Sequence, residues 1–275
     1  MVTAQEVKKL RDKTSAGMMD CKEALEKAGG DFDKAIEFLR KKGGAIAASR
    51  ANKITGEGGV FLKTDTNGKW GCIVSLGCET DFVANTSGFK ELGECIVTAA
   101  SLNDVCSCEV LYSILVGSLS IREKIDEYVC LVKEKIVINR FEVVTGDMVI
   151  PYVHQGGRLG VLVGLGNENS IKASEIGKEI AMQIAAMNPI VVMRSDLDPM
   201  TIKKEEEIFL QATINEGHSG ERVAKVVQGK MNKFYKESVL MEQDFIKDNS
   251  MSVGQYLNKS LPGAVITRFV RVVVS

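Results

Sequence analysis

Apolar residues recur at helical spacing along the first 42 positions, and short helices account for them. Thr3-Ala4-Gln5-Glu6 has the form of a capping box, in which the Thr hydroxyl caps the N3 amide and the Glu reaches back. Val7, Leu10 and Arg11 follow at helical spacing, and Gly17 breaks the helix. Residues 19–27 predict a second helix with Cys21, Ala24 and Leu25 inward, stopped by Gly29-Gly30. Asp31 caps a third, whose apolar stripe is Phe32, Ala35, Ile36 and Leu39. So small a core predicts a module, residues 1–42, that leans on a partner or neighbour. The Gly- and Ala-rich residues 43–58 predict a short helix and then a linker.

The hydrophobic period then changes. Val60-Phe61-Leu62 runs into Asn67-Gly68, a hairpin signal because both residues tolerate positive φ, and residues 70–76 return. Helical spacing resumes over 88–100, with Phe89, Leu92, Ile96 and Val97 inward, and again over 121–135 before a strand-like stretch at 136–144. A second hairpin joins 149–153 to 159–165 across Gly156-Gly157 and leads into a helix over 173–187, ended by Pro189. Gly71-x-x-Val74-x-Leu76-Gly77-x-Glu79 reappears as Gly160-x-x-Val163-x-Leu165-Gly166-x-Glu168, each on the second strand of a hairpin, so two related halves are expected. Residues 200–215 and 221–236 form a helical hairpin too long for a simple connection and therefore expected to project. A short helix within 248–257 and a β-branched strand at 265–274 close the chain. The expected fold is α+β: a three-helix module at 1–42, a linker at 43–58, core halves at 59–140 and at 141–198 with 237–275, and an inserted helical hairpin at 199–236.

Composition narrows the function. The 275 residues carry 35 Lys and Arg against 36 Asp and Glu, a net charge of -1, which argues against wrapping nucleic acid by bulk charge; no direct nucleic-acid partner is expected. No run of about eighteen apolar residues offers a membrane span, and the first residues lack the apolar centre of a signal peptide, so a cytoplasmic location is expected. Seven cysteines without a CxxC pair fit reduced thiols in such a compartment. The two histidines, His154 and His218, have no triad spacing, and neither a metal-ligand pattern nor a phosphate loop occurs. No enzyme activity, cofactor or metal is expected.

Two places stay open on the residues alone. Gly17-Met18-Met19 is either a core methionine beside an exposed one, or a flexible apolar contact for a partner helix. The stretch 79–85, Glu-Thr-Asp-Phe-Val-Ala-Asn, leaves a strand end, where loops carry function. Either Thr80 or Asp81 caps a helical turn and Phe82 packs inward, or Asp81 and Phe82 form a wedge that opens a partner.

Residues 7–25, VKKLRDKTSAGMMDCKEAL, closely resemble the N-terminal motif of the elongation factor Ts family. Residues 78–84, CETDFVA, resemble its second motif, and residues 154–163, HQGGRLGVLV, its third, in the same order at matching separations. The resemblance spans nearly the whole chain. It implies guanine-nucleotide exchange on elongation factor Tu carrying GDP, a ubiquitin-associated-like N-terminal module, two related core subdomains and an inserted helical hairpin. Carried over by motif, Leu10, Arg11, Met18 and Met19 contact the nucleotide domain of elongation factor Tu. Thr80, Asp81, Phe82 and Val83 form the tip, with Asp81 and Phe82 intruding near the magnesium site, and His154 with its neighbours contacts a second region. A homodimer through the helical hairpin, as in some members, stays open. Some members carry a further C-terminal helix; here Ser275 directly follows Val270-Arg271-Val272-Val273-Val274, so its contact is not expected. A ubiquitin-binding adaptor built on the N-terminal module is the alternative, and it leaves the other two motifs unexplained.

Overall fold

A computed structural model describes residues 2–14, 16–103, 105–167 and 170–274. Ser15 of the first motif, Glu168 of the second repeat copy and the terminal Ser275 lie outside the described residues. Helices α1 (Ala4–Thr14), α2 (Met18–Lys27) and α3 (Phe32–Ser49) come first. Strands β1 (Glu57–Thr64) and β2 (Trp70–Cys78) follow, then α4 (Asp81–Ala84), α5 (Ser87–Leu102), α6 (Cys108–Ser113), β3 (Leu115–Val116), β4 (Leu119–Ser120), α7 (Ile121–Val132) and β5 (Val137–Thr145). The chain continues through β6 (Met148–Val153), β7 (Leu159–Gly166), α8 (Ile171–Met187), α9 (Pro199–Asn215), α10 (Glu221–Ser238), β8 (Asp244–Phe245), β9 (Asp248–Ser252), α11 (Val253–Ser260) and β10 (Val265–Val273). The fold is α+β, with helices first and antiparallel sheets after them.

The capping box at the start of α1 forms as its sequence predicts: the Glu6 amide donates to the Thr3 hydroxyl at 3.3 Å and the Thr3 amide donates to Glu6 Oε2 at 2.7 Å. Val7, Leu10, Cys21, Ala24, Leu25, Ala35 and Leu39 make one small core under α1, α2 and α3. The third helix and the short helix expected after residue 42 are one continuous helix, which runs through Gly43-Gly44 to Ser49. A Cβ at Gly43 would sit 2.3 Å from the Asp126 carbonyl oxygen and 3.2 Å from the Cys130 Cβ. The glycine is therefore a point of close helix crossing between α3 and α7, and this crossing docks the small module on the rest of the protein. An ion pair from Arg40 to Glu127 at 3.2 Å lies along the same seam.

Two three-stranded antiparallel sheets, ordered β1-β2-β5 and β10-β7-β6, stack face to face. Val60, Ile73 and Val144 of one meet Val149, Leu162, Val270 and Val272 of the other. The outer face of the first sheet packs on α5 through Phe61, Val74 and Leu76 against Phe89, Ile96 and Val97. The outer face of the second packs on α8 through Ile150, Val163 and Leu165 against Ile180 and Ile184. The central strands β2 and β7 are thus covered on both faces, which is why their burial is almost continuous instead of alternating. The repeated glycines have a reciprocal use in this stack. A Cβ at Gly71 would meet Val149 of the opposite sheet at 2.8 Å, and one at Gly160 would meet Val60 at 2.7 Å. Apart from these layers, α9 and α10 pair with each other, burying Thr213, Val227 and Met231. Among the described residues no helix is long and apolar enough to cross a membrane.

Candidate partner-binding surface

Strand β2 delivers the chain to a single, tightly held turn. Thr80 is the N-cap of α4, in extended backbone conformation, and its hydroxyl accepts from the Val83 amide at 3.4 Å. The same hydroxyl donates to Glu134 Oε1 at 2.7 Å, and the Thr80 amide donates to Glu134 Oε2 at 3.0 Å. Donation to a carboxylate commits the hydroxyl proton, so its lone pairs are left for the cap. Val83 is buried in the core beneath α5. With Thr80 and Val83 both fixed, Asp81 and Phe82 between them face solvent, and Phe82 is 82% exposed. The two readings of this stretch are therefore reconciled: Thr80 caps the turn, and Phe82 does not pack inward. Val83, expected with the contact residues, is placed as an anchor of the turn, because its side chain fills the core.

Glu79 secures the preceding residue. Arg50 Nη1 donates to Glu79 Oε1 and Oε2 at 2.7 and 2.8 Å, and the Lys135 amide donates to Oε1 at 2.7 Å. Burial pushes the Glu79 carboxyl up, but the Lys135 amide and the Arg50 guanidinium outweigh it and hold it below its ordinary 4.5. A depressed carboxyl stabilises the fold above its ordinary value and loses that contribution as pH falls through the lowered one. Glu79→Gln is expected to destabilise the protein by about 2 kcal/mol at neutral pH. In urea melts taken from pH 7 downward, the gap between wild type and variant should close below 4.5; a gap that stays constant would contradict this.

The third motif forms the β6–β7 turn. Its backbone closes through the His154 amide to the Leu159 carbonyl at 2.9 Å and the Gly157 amide to the His154 carbonyl at 3.0 Å. Gly156 and Gly157 take φ of +88° and +68°, which the turn demands and other residues resist. His154 is exposed, and its Nδ1 lies 2.9 Å from the Tyr152 hydroxyl. The Gly157 carbonyl accepts from the Val60 amide at 2.7 Å, and Arg158 pairs with Glu57, so the turn is tied to β1. Between this turn and α4 lies a cleft of about 540 Å³, lined by β1, by Asp81, Ala84 and Asn85, by Lys90 and Glu94, and by Val153, Gly156, Gly157 and Arg158. The second and third motifs thus share one cleft, with His154 beside it and outside its lining.

The first motif places its residues unequally. Met18 and Met19, at the start of α2, are 46% and 74% exposed, and Arg11 is exposed on α1. Leu10 is 0% exposed. The expectation that Leu10 contacts a partner is corrected here: with Val7 it forms the inward stripe of α1, packed against α2 and α3. Asp20, directly after Met19, pairs with Lys42 at 2.8 Å and with Lys133 at 2.9 Å. Burial pushes the Asp20 carboxyl up, and the bonds from Lys42 and Lys133 bring it below its ordinary value. Neither Glu134 nor Lys133 was marked by the sequence, since the helix was expected to run to 135 and a Lys-Glu-Lys run in its last turn reads as a solvated end.

The family model for elongation factor TS matches residues 79–275. An elongation factor Ts from Amoebophilus asiaticus is 41% identical over 273 residues, covering 99% of each chain. One from Cytophaga hutchinsonii is 41% identical over 275 residues, covering 100% of this chain and 99% of its own. One from Clostridium kluyveri is 40% identical over 263 residues, covering 94% of this chain and 86% of its own. The first two alignments, which span 99% and 100% of this chain, take in all three motifs, whereas the family model begins inside the second.

Proposed function

The chain belongs to the elongation factor Ts family of translation elongation factors, and on that footing we propose that it binds elongation factor Tu carrying GDP and promotes release of the nucleotide so that GTP can bind. The observation that carries this reading is Phe82, a large aromatic side chain held 82% exposed on a turn fixed at both ends. Leaving such a ring in water forgoes up to about 3 kcal/mol of burial, which a partner recovers on binding.

The mechanism is coupling. A protein that binds the nucleotide-free state of elongation factor Tu more tightly must weaken nucleotide binding by the same factor. Magnesium bridges phosphates in a strict octahedral shell, so a small displacement of that shell costs the nucleotide several contacts together. Phe82 is the wedge in this reading, and Asp81 brings a carboxylate beside the cation. Arg11, Met18 and Met19 form the contact to the nucleotide domain, the two thioethers adapting to an apolar surface. His154 and the β6–β7 turn meet a second region, which spreads the binding free energy away from the wedge. The chemistry belongs to the partner, so this chain needs no catalytic group or cofactor of its own, and it acts in the cytoplasm, where elongation takes place. The test is the release of fluorescent GDP from elongation factor Tu, followed with and without the protein. Acceleration supports the reading; release at the intrinsic rate overturns it.

A further inference from the structure

Three consecutive residues between α7 and β5 grip three separate elements. Lys133, in left-handed conformation at φ 58° and ψ 27°, ends α7, and its Nζ donates to Asp20 Oδ2 at 2.9 Å. Glu134 accepts both the hydroxyl and the amide of Thr80, at 2.7 and 3.0 Å. Lys135 donates its amide to Glu79 at 2.7 Å and its Nζ to the carbonyls of Ala51 and Lys53 at 2.7 and 2.9 Å. Asp20 is the residue after Met19, and Thr80 stands two before Phe82. We infer that Lys133-Glu134-Lys135 is a strap that holds the Met18-Met19 tip and the Phe82 tip in fixed relation, with Glu134 as the positioning residue for the wedge. This rests on the exchange function proposed above.

The turn needs such a device. A helix of four residues is far below the length that sustains itself, because nucleation fixes several dihedrals for one hydrogen bond. Its cap bond, at 3.4 Å, is long. An exposed phenyl ring on an unsupported turn would move toward any apolar surface nearby, since burial is favourable. The Glu134 carboxylate opposes that motion by two charge-assisted bonds to one residue, which set both the backbone and the hydroxyl of Thr80. A wedge fixed in advance spends none of the binding free energy on ordering itself. The predicted consequence is specific: loosening the strap lowers the rate at which bound partner loses GDP and leaves the affinity for that partner nearly unchanged, because the other contact surfaces remain.

Glu134→Gln is the test, since its amide keeps one acceptor and turns an NH2 toward the other donor. The maximal rate of GDP release is expected to fall about tenfold while the half-saturating concentration changes less than about threefold. Thr80→Val should lose at least as much, since it also removes the cap on the Val83 amide, and the double variant no more than Thr80→Val alone, because the Thr80–Glu134 side-chain contact is already cut. A wild-type maximal rate in Glu134→Gln, or losses that multiply, would overturn the inference. A partner-free measurement separates its failure from that of the exchange function. Amide hydrogen exchange of the whole protein should quicken at Val83, Ala84 and Asn85 in Glu134→Gln and stay unchanged in β2. No change at those three amides, or loss of protection throughout, would show that Glu134 does not act on the tip.

Discussion

Replacing Phe82 by alanine is expected to slow stimulated GDP release about a hundredfold, because a fully buried phenyl contributes about 3 kcal/mol and each 1.4 kcal/mol is about a factor of ten. The fold should not register the change. The ring is 82% exposed, so removing it uncovers no core and leaves no cavity. The melting temperature is expected to stay within about 1 °C of wild type, as for substitutions that touch nothing buried. The two readouts together decide the role of the side chain. A large loss of rate at constant stability places Phe82 at the partner. A loss of rate matched by a loss of stability would mean that the ring supports the turn, contrary to its exposure. Stopped-flow fluorescence with labelled GDP gives the rate, and calorimetry gives the melting temperature.

Gly43→Ala carries the second large effect, and its sign is the informative part. Within an ordinary exposed helix this substitution would stabilise by about 1 kcal/mol through helix propensity. At the crossing of α3 and α7 the added Cβ would lie 2.3 Å from the Asp126 carbonyl oxygen, a backbone atom that cannot swing aside. Overpacking of this kind costs about 3 kcal/mol, which outweighs the propensity gain and leaves a net loss near 2 kcal/mol. For a chain of this size that is a fall of about 5 °C in melting temperature. The crossing also fixes where the module carries Met18 and Met19, so the half-saturating concentration of the partner should rise in the same variant. A melting temperature above wild type would show that α3 and α7 do not pack as described.

These two sites mark what the sequence could and could not reveal. The hairpins were legible because Gly68 and Gly156-Gly157 take positive φ at the points where two apolar runs reverse, although Asn67, expected to share that conformation, does not. The helix over the first sheet was legible from Phe89, Leu92, Ile96 and Val97, whose spacing follows the buried face of α5. Gly43-Gly44 were read only as the start of a further short helix, because a glycine placed for close approach looks the same as one placed at a helix end, and the difference lies in Asp126, more than 80 residues later. Leu10 sits inside a motif read as a contact, and only the packing of α1 on its neighbours shows it turned inward. Phe82 could not be settled by periodicity. The turn that carries it is bonded to Glu134, which meets Thr80 across 54 residues of sequence. The cleft beside it was likewise hidden, because it arises where the β6–β7 turn meets β1 through the Val60–Gly157 bond. Local pattern fixes elements; the surface that acts on a partner is set by contacts between elements distant in sequence.

The most direct measurement is release of labelled GDP from elongation factor Tu with this protein at about one-tenth the partner's concentration and unlabelled nucleotide in excess, since a factor that couples reciprocally to the nucleotide acts repeatedly. The expected result is complete release of the label in a single faster phase, with a rate that rises in proportion to the protein added. Release at the intrinsic rate, or a fast phase confined to about one-tenth of the label as a bound, non-recycling partner would give, would contradict the proposed role.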